Sequence, residues 1–184
     1  VPKGKQRASQ AKIEDVAEFY QTIDRRNLIH KISPVRPYVY TTMEVYDQAN
    51  GIRGAGGLGV LAADTRRVAE DLEIPFVTLT PFYQTERHQR LDKLEPHDDY
   101  ISRSPEAEGF QAIGQVALHI KDKPDATLDI YQKQLGSSRF LCMTEPNFGP
   151  LYCDTPSSDH RLYQMTSLGF GGYAALKMAD LKPA

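Results

Sequence analysis

The sequence predicts an α/β domain with a mixed sheet, and three observations carry that expectation. Residues 37–45 read as a strand, with Tyr38, Tyr40 and Thr42 on one side and Val39, Thr41 and Met43 on the other. A glycine-rich turn then leads into a helical pattern and on to a second apolar strand at residues 74–81, the order of a βαβ unit. From Gln115 onward the periodicity changes to two, which marks an antiparallel run.

Residues 1–10 hold Lys3, Lys5 and Arg7 with almost nothing apolar, and read as a mobile tail. The remainder, 11–184, is expected to form a single domain. Ile13, Val16, Ala17, Phe19, Tyr20 and Ile23 recur at helical spacing through about Ile29, and Pro34 and Pro37 end that helix. The first strand follows, then a turn at Asn50-Gly51.

Residues 53–64 read RGAGGLGVLAAD. Glycines between a strand and a helix let backbone N–H groups converge, and the helix start adds its positive dipole end. That combination can cradle an anion, most often a phosphate. The same glycines serve equally as a tight turn with close helix–sheet packing, and spacing leaves both readings open. No Gly-Lys-Ser/Thr follows, so this is not a Walker loop. Gly54, Gly56 and Gly59 fit G-x-G-x-x-G, but no acid ends the second strand. Gly57 is expected to need a φ that only glycine adopts. In the helix, Leu58, Leu61, Ala62, Val68, Ala69 and Leu72 form the apolar stripe, leaving Asp64, Arg66, Arg67 and Asp71 for water.

The second strand is apolar enough for burial on both faces. Residues 82–105 are polar and turn-rich. His97-Asp98-Asp99 lies there, with spacing unsuited to a tetrahedral metal site, and no metal ligand set is assigned. Val116, Leu118 and Ile120, then Leu128 and Ile130, then residues 139–144 form the antiparallel strands. His119 falls on one of them as a packed or surface residue. Residues 145–150 make a rigid loop. A last helix follows, with Leu162, Met165, Leu168, Ala175, Leu176 and Ala179 as its buried stripe. Gly169, Gly171 and Gly172 within that helix imply close approach of another backbone.

At 184 residues with 40% hydrophobic and 25% charged composition, the chain is ordinary for a globular protein. A formal charge of −2 offers no field for nucleic acid or an anionic membrane. No run of about 18 apolar residues appears, no leader is visible, and a cytoplasmic location is expected. Cys142 and Cys153 are expected to be free thiols.

Residues Gly56-Gly57-Leu58-Gly59-Val60-Leu61-Ala62, then Asp64, Asp71-Leu72 and Ile74-Pro75, resemble the G-G-L-G-V-L-A-G-D … D-L-G-V-P stretch of the α-glucan phosphorylases. Thr42-Met43-Glu44 resembles that family's upstream S-M-E. Asp159 to Gln164 with Leu168-Gly169-Phe170-Gly171-Gly172 resembles its H-R-L-x-Q-E-I-L-L-G-I-G-G helix, with Met165 standing where the family has Glu. Tyr83-Gln84 begins like the family's sugar-contacting stretch and then departs from it.

The resemblance implies a Rossmann-like sheet, the N-terminal half of a GT-B glycosyltransferase, and phosphorolysis of α-1,4-glucan to glucose 1-phosphate. It places phosphate or glucose 1-phosphate on Gly56, Gly57 and Gly59, the sugar against Leu58, and Glu44 and Asp64 in the same site. No catalytic residue is assigned. The family's pyridoxal phosphate would come with a C-terminal domain or partner subunit, because no lysine of this chain matches its carrier. The chain alone is therefore expected to bind no cofactor and to be inactive. A homo-oligomer is compatible with it. Two other classes stay open: a non-catalytic carbohydrate- or anion-binding subunit, and a glycogen synthase-like transferase fragment.

Overall fold

The computed structural model describes residues 31–54, 56–90, 97–120, 124–152 and 158–182. The chain divides into two compact units, Val1–Lys31 and Ile32–Ala184, and the second is treated by itself. The expected tail, its boundary at residue 10, and the helix over 13–29 lie outside the described residues.

The described elements run β1 (Tyr38–Thr41), α1 (Gly56–Asp71), β2 (Phe76–Pro81), β3 (Thr85–Arg90), β4 (His97–Ser102), β5 (Gln111–Leu118), β6 (Ala126–Leu135), β7 (Ser138–Thr144) and α2 (Ser158–Met178). Five strands form one mixed sheet in the order β1-β2-β7-β6-β5. β1, β2 and β7 are parallel, and β7, β6 and β5 are antiparallel. The α/β class, the βαβ unit and the antiparallel run are those the sequence predicts.

Every residue of β2 is buried, as befits an inner parallel strand. Alternation sorts its neighbours into two layers. Leu79, Leu128, Ile130, Leu141 and Met143 pack with Leu168, Ala175 and Leu176 of α2. Tyr131, Phe140 and Cys142 pack with Ala62 and Ala63 of α1, together with Phe82 and Phe110. Cys142 is a free thiol with no exposure, and Cys153 is outside the described residues.

Several expectations need correction. β1 spans four residues rather than nine. Its ladder ends because Thr42 Oγ1 donates to the Glu44 carbonyl at 3.0 Å and turns the chain toward α1. Residues 85–102, expected as loop, form the β3–β4 hairpin, with six register pairs from Thr85↔Ser102 to Arg90↔His97. Its charged composition masks the strands, because both faces of an isolated hairpin can stay polar. His97, Asp98 and Asp99 are successive positions of β4. Among the described residues no group of three or more His, Cys, Asp or Glu is placed to hold a metal ion.

The buried face of α1 is the predicted one only at Ala62 and Ala69. Gly59, Ala62, Ala63, Arg66 and Ala69 are buried, whereas Leu58, Leu61, Val68 and Leu72 are exposed. The helix lies too close to the chain after β1 for large side chains. Tyr46 N–H donates to the Gly59 carbonyl at 3.0 Å. A β-carbon on Gly59 would stand 3.0 Å from the Tyr46 nitrogen.

In α2, Leu162 and Met165 are exposed while Leu168, Ala175 and Leu176 are buried. Two of its glycines do mark close approach, to side chains rather than to backbone. A β-carbon on Gly171 would lie 2.6 Å from Leu128 Cδ1, and one on Gly172 2.5 Å from Leu79 Cδ2. Gly169 has nothing within 4 Å. Gly172→Leu is expected to lift α2 from the sheet and cost about 2–3 kcal/mol. Gly169→Ala should gain up to about 1 kcal/mol of helix propensity. Urea unfolding midpoints check both, and equal shifts for the two variants would refute the assignment.

Candidate functional site

Three segments meet beyond the carboxyl ends of β1, β2 and β7: the stretch after β1, Phe82 and Tyr83 after β2, and the loop through Tyr152 after β7. Ligands of open α/β sheets bind at this edge. The segments converge on one carboxylate. Glu44 Oε1 accepts from the Gly59 N–H at 3.3 Å and from the Tyr152 hydroxyl at 2.7 Å.

Gly56 is what allows this meeting. Its φ is +83°, a conformation glycine adopts without strain. A β-carbon there would stand 3.1 Å from the Tyr152 hydroxyl and 3.3 Å from Glu44 Oε1. The first N–H groups of a helix have no acceptor inside it. Here one of them is answered by a carboxylate of the chain itself.

Burial, followed by the hydrogen bond to Glu44 and the Glu44 charge, pushes the Tyr152 phenol up to about 12. It therefore remains a proton donor at neutral pH. Arg161 supplies a fixed cation beside the loop, donating to the Leu151 carbonyl at 2.7 Å and to Gln164 Oε1 at 3.0 Å. Gln164 is fully buried and donates in turn to the Phe148 carbonyl at 2.7 Å. This α2 residue thus anchors the loop that carries Tyr152. Tyr83 is buried with its ring 6.3 Å from that of Phe148, centroid to centroid.

Between these segments runs a crevice of about 560 Å³ including its open mouth, lined by Glu44, Tyr83, Tyr152, Arg87 and Arg103 among others. Its interior leaves water centres about 40 Å³. A single water needs roughly 10–15 Å³ on that measure, so the interior admits a few waters or one small polar group. The far wall is internally neutralised. Arg103 donates to Glu108 Oε1 at 2.7 Å and Oε2 at 2.9 Å, and to the Arg53 carbonyl at 2.7 Å, while its guanidinium stacks 4.7 Å from the Phe82 ring centroid. Cys142 also lines the crevice, but burial raises its thiol well above the ordinary range and makes it a poor nucleophile.

Of the residues expected at the site, Glu44, Gly56 and Gly59 come together. Gly57 and Leu58 sit exposed at the start of α1, and Gly57 has open space above it. The positive φ expected at Gly57 belongs to Gly56. Asp64 lies elsewhere, paired with Arg67 at 3.2 Å in the ion cluster around Asp47. Sequence reasoning did not single out Tyr152 or Arg161 as site residues. Both lie more than 100 positions from Glu44, and neither carries a local signal of that proximity.

No protein-family model matches the chain, and no solved structure matches it. The chain is similar to a pyruvate kinase of Chlamydia pneumoniae, with 28% identity over 145 residues. That match covers 78% of this chain and 29% of the relative, so the chain spans under a third of the protein it matches. This finding overturns the phosphorylase resemblance. The relative is a different enzyme, and the expected glucan phosphorolysis, with its glycogen phosphorylase and pyridoxal phosphate associations, loses its support. The glycosyltransferase class and the GT-B half-domain arrangement were drawn from the same resemblance, and no solved structure matches to carry the arrangement. Among the described residues no helix is long and apolar enough to cross a membrane.

Proposed function

We propose that this chain is part of an enzyme of the transferase class and provides the seat for a small phosphate ester at the carboxyl edge of its sheet. The observation that carries the reading is the Glu44 carboxylate, held by Gly59 and Tyr152 at a crevice whose interior admits a few waters or one small polar group. The phosphoryl group rests against the exposed first-turn N–H groups of Gly57 and Leu58, where the helix dipole favours an anion. The ester's other end enters the crevice toward Glu44. The chain's similarity to a protein named as a kinase agrees with a phosphorylated ligand.

The test compares glycerol 3-phosphate, inorganic phosphate and pyruvate by amide shifts in NMR titrations of wild type and Glu44→Gln. In wild type, glycerol 3-phosphate should shift residues 44, 56–59 and 152. Glu44→Gln should weaken glycerol 3-phosphate about tenfold, because a hydrogen bond to a charged group contributes about 1.5–3 kcal/mol. Inorganic phosphate should bind the variant as well or better, since a like charge beside it has been removed. Shifts that map away from these residues, or equal weakening of every ligand, would sink the proposal.

A further inference from the structure

Buried hydroxyl groups nearly always find a hydrogen-bond partner, and an orphan calls for an explanation. Among the described residues the Tyr83 hydroxyl has none, although the residue is only 6% exposed. Other orphan hydroxyls, those of Thr78, Ser138 and Thr144, do not line the crevice; Tyr83 does. Its ring is fixed by packing in the core against Phe148, so the hydroxyl cannot swing out to water without moving that core. Tyr83 lines the same crevice as Glu44 and Tyr152. Burial keeps it protonated, and it offers one donor and two acceptor positions.

Resting on the phosphate-ester reading above, we infer that Tyr83 is a specificity-determining residue, whose orphan hydroxyl binds an alcohol group of the ligand that also donates to Glu44. Glu44 accepts only, so the ligand group between them must carry a proton. An alcohol satisfies both sides at once, taking a hydrogen bond from Tyr83 and giving one to Glu44. A methyl or methylene in the same place leaves Tyr83 unpaired. The crevice therefore discriminates hydroxylated phosphate esters from deoxygenated ones of similar size. A site with a buried group waiting for a hydroxyl rejects the analogue that lacks it more strongly than an apolar pocket would.

The test uses glycerol 3-phosphate and n-propyl phosphate, titrated into wild type and Tyr83→Phe, with dissociation constants from amide shifts and thermal unfolding of the free proteins. Wild type should bind glycerol 3-phosphate at least about fivefold more tightly than n-propyl phosphate. Tyr83→Phe should bind the two esters alike, with its affinity for n-propyl phosphate unchanged. The free variant should melt about 2 °C higher, because an unpaired polar group has left the interior. A merely structural tyrosine would not couple a gain in stability to a loss of discrimination. If both esters bind wild type in the crevice with equal affinity, or the variant retains the preference, the inference is overturned and the ester site stands. If neither ester shifts residues 44 and 56–59 in wild type, the ester site itself is overturned and the role of Tyr83 with it.

Discussion

Asp47→Ala is expected to destabilise the protein by about 3 kcal/mol, lowering Tm by about 6–12 °C for a chain of this size. Asp47 is fully buried between the turn after β1 and α1. Its Oδ2 accepts from Arg66 Nη2 at 3.0 Å and from Asn50 at 2.9 Å, and its Oδ1 accepts from Arg67 Nη2 at 2.8 Å. Arg66 is buried too, and among the described residues its other ion-pair partner is Glu70, one helical turn on. Removing Asp47 breaks a buried ion pair and leaves Arg66 with only the partly exposed Glu70 to balance it, and breaking such a pair is costly. Asp64→Ala is the internal control. Asp64 pairs with the same Arg67 but is exposed, and such pairs contribute about 0–1 kcal/mol. Equal losses for the two variants, measured by thermal melts at pH 7, would refute the account.

The same cluster sets a pH dependence. Burial alone raises the Asp47 carboxyl. Hydrogen bonds from Asn50 and Arg67, with the charges of Arg66 and Arg67, outweigh that and hold it below its ordinary value of 3.8. A group depressed in the folded state stabilises the fold above its unfolded pKa, and the stabilisation is lost as pH falls through the folded pKa. The gap in Tm between wild type and Asp47→Ala should therefore be full at neutral pH and narrow below about pH 4.

Gly54→Ala should cost about 2–3 kcal/mol and weaken the Glu44 site with it. A β-carbon on Gly54 would stand 2.3 Å from the Val45 carbonyl oxygen and 3.0 Å from its carbon. Both atoms are backbone and cannot rotate away. Relief has to come from separating the loop before α1 from the chain after β1. That movement carries Gly59 away from Glu44, so the amide signals of Gly59 and Tyr152 should shift together. Gly57→Ala has the opposite sign, despite lying three residues on in the same glycine run. Nothing lies within 4 Å of its β-carbon position and its φ is ordinary, so the variant should be neutral or gain up to about 1 kcal/mol. Denaturant midpoints decide the matter, and two variants that move in the same direction would refute it.

The sequence alone determined the α/β class, the strand–glycine–helix–strand order and the change to antiparallel pairing after residue 115. Each rests on local periodicity and turn chemistry, which neighbouring residues carry among themselves. The placing of Glu44 with the glycine run came from the phosphorylase resemblance, which the comparison overturns; the fold itself brings the Gly59 N–H to the Glu44 carboxylate. Tertiary structure decided what those glycines are for. Gly54 and Gly59 admit the chain after β1, Gly56 admits Tyr152 and Glu44, and Gly57 admits nothing. Spacing cannot separate these roles, because a glycine's neighbour in space leaves no trace in the residues beside it. The face of α1 kept Ala62 and Ala69 but lost the leucines for the same reason. Hydrophobic periodicity favoured the leucine stripe, but the clearance to Tyr46 admitted only glycine and alanine, with Arg66 drawn under the helix by Asp47. Tyr152 stands at the site through a contact that spans 108 positions, Arg161 through its hold on the Leu151 carbonyl, and Tyr83 through a hydroxyl without a partner among the described residues. Only the folded chain fixes such distances.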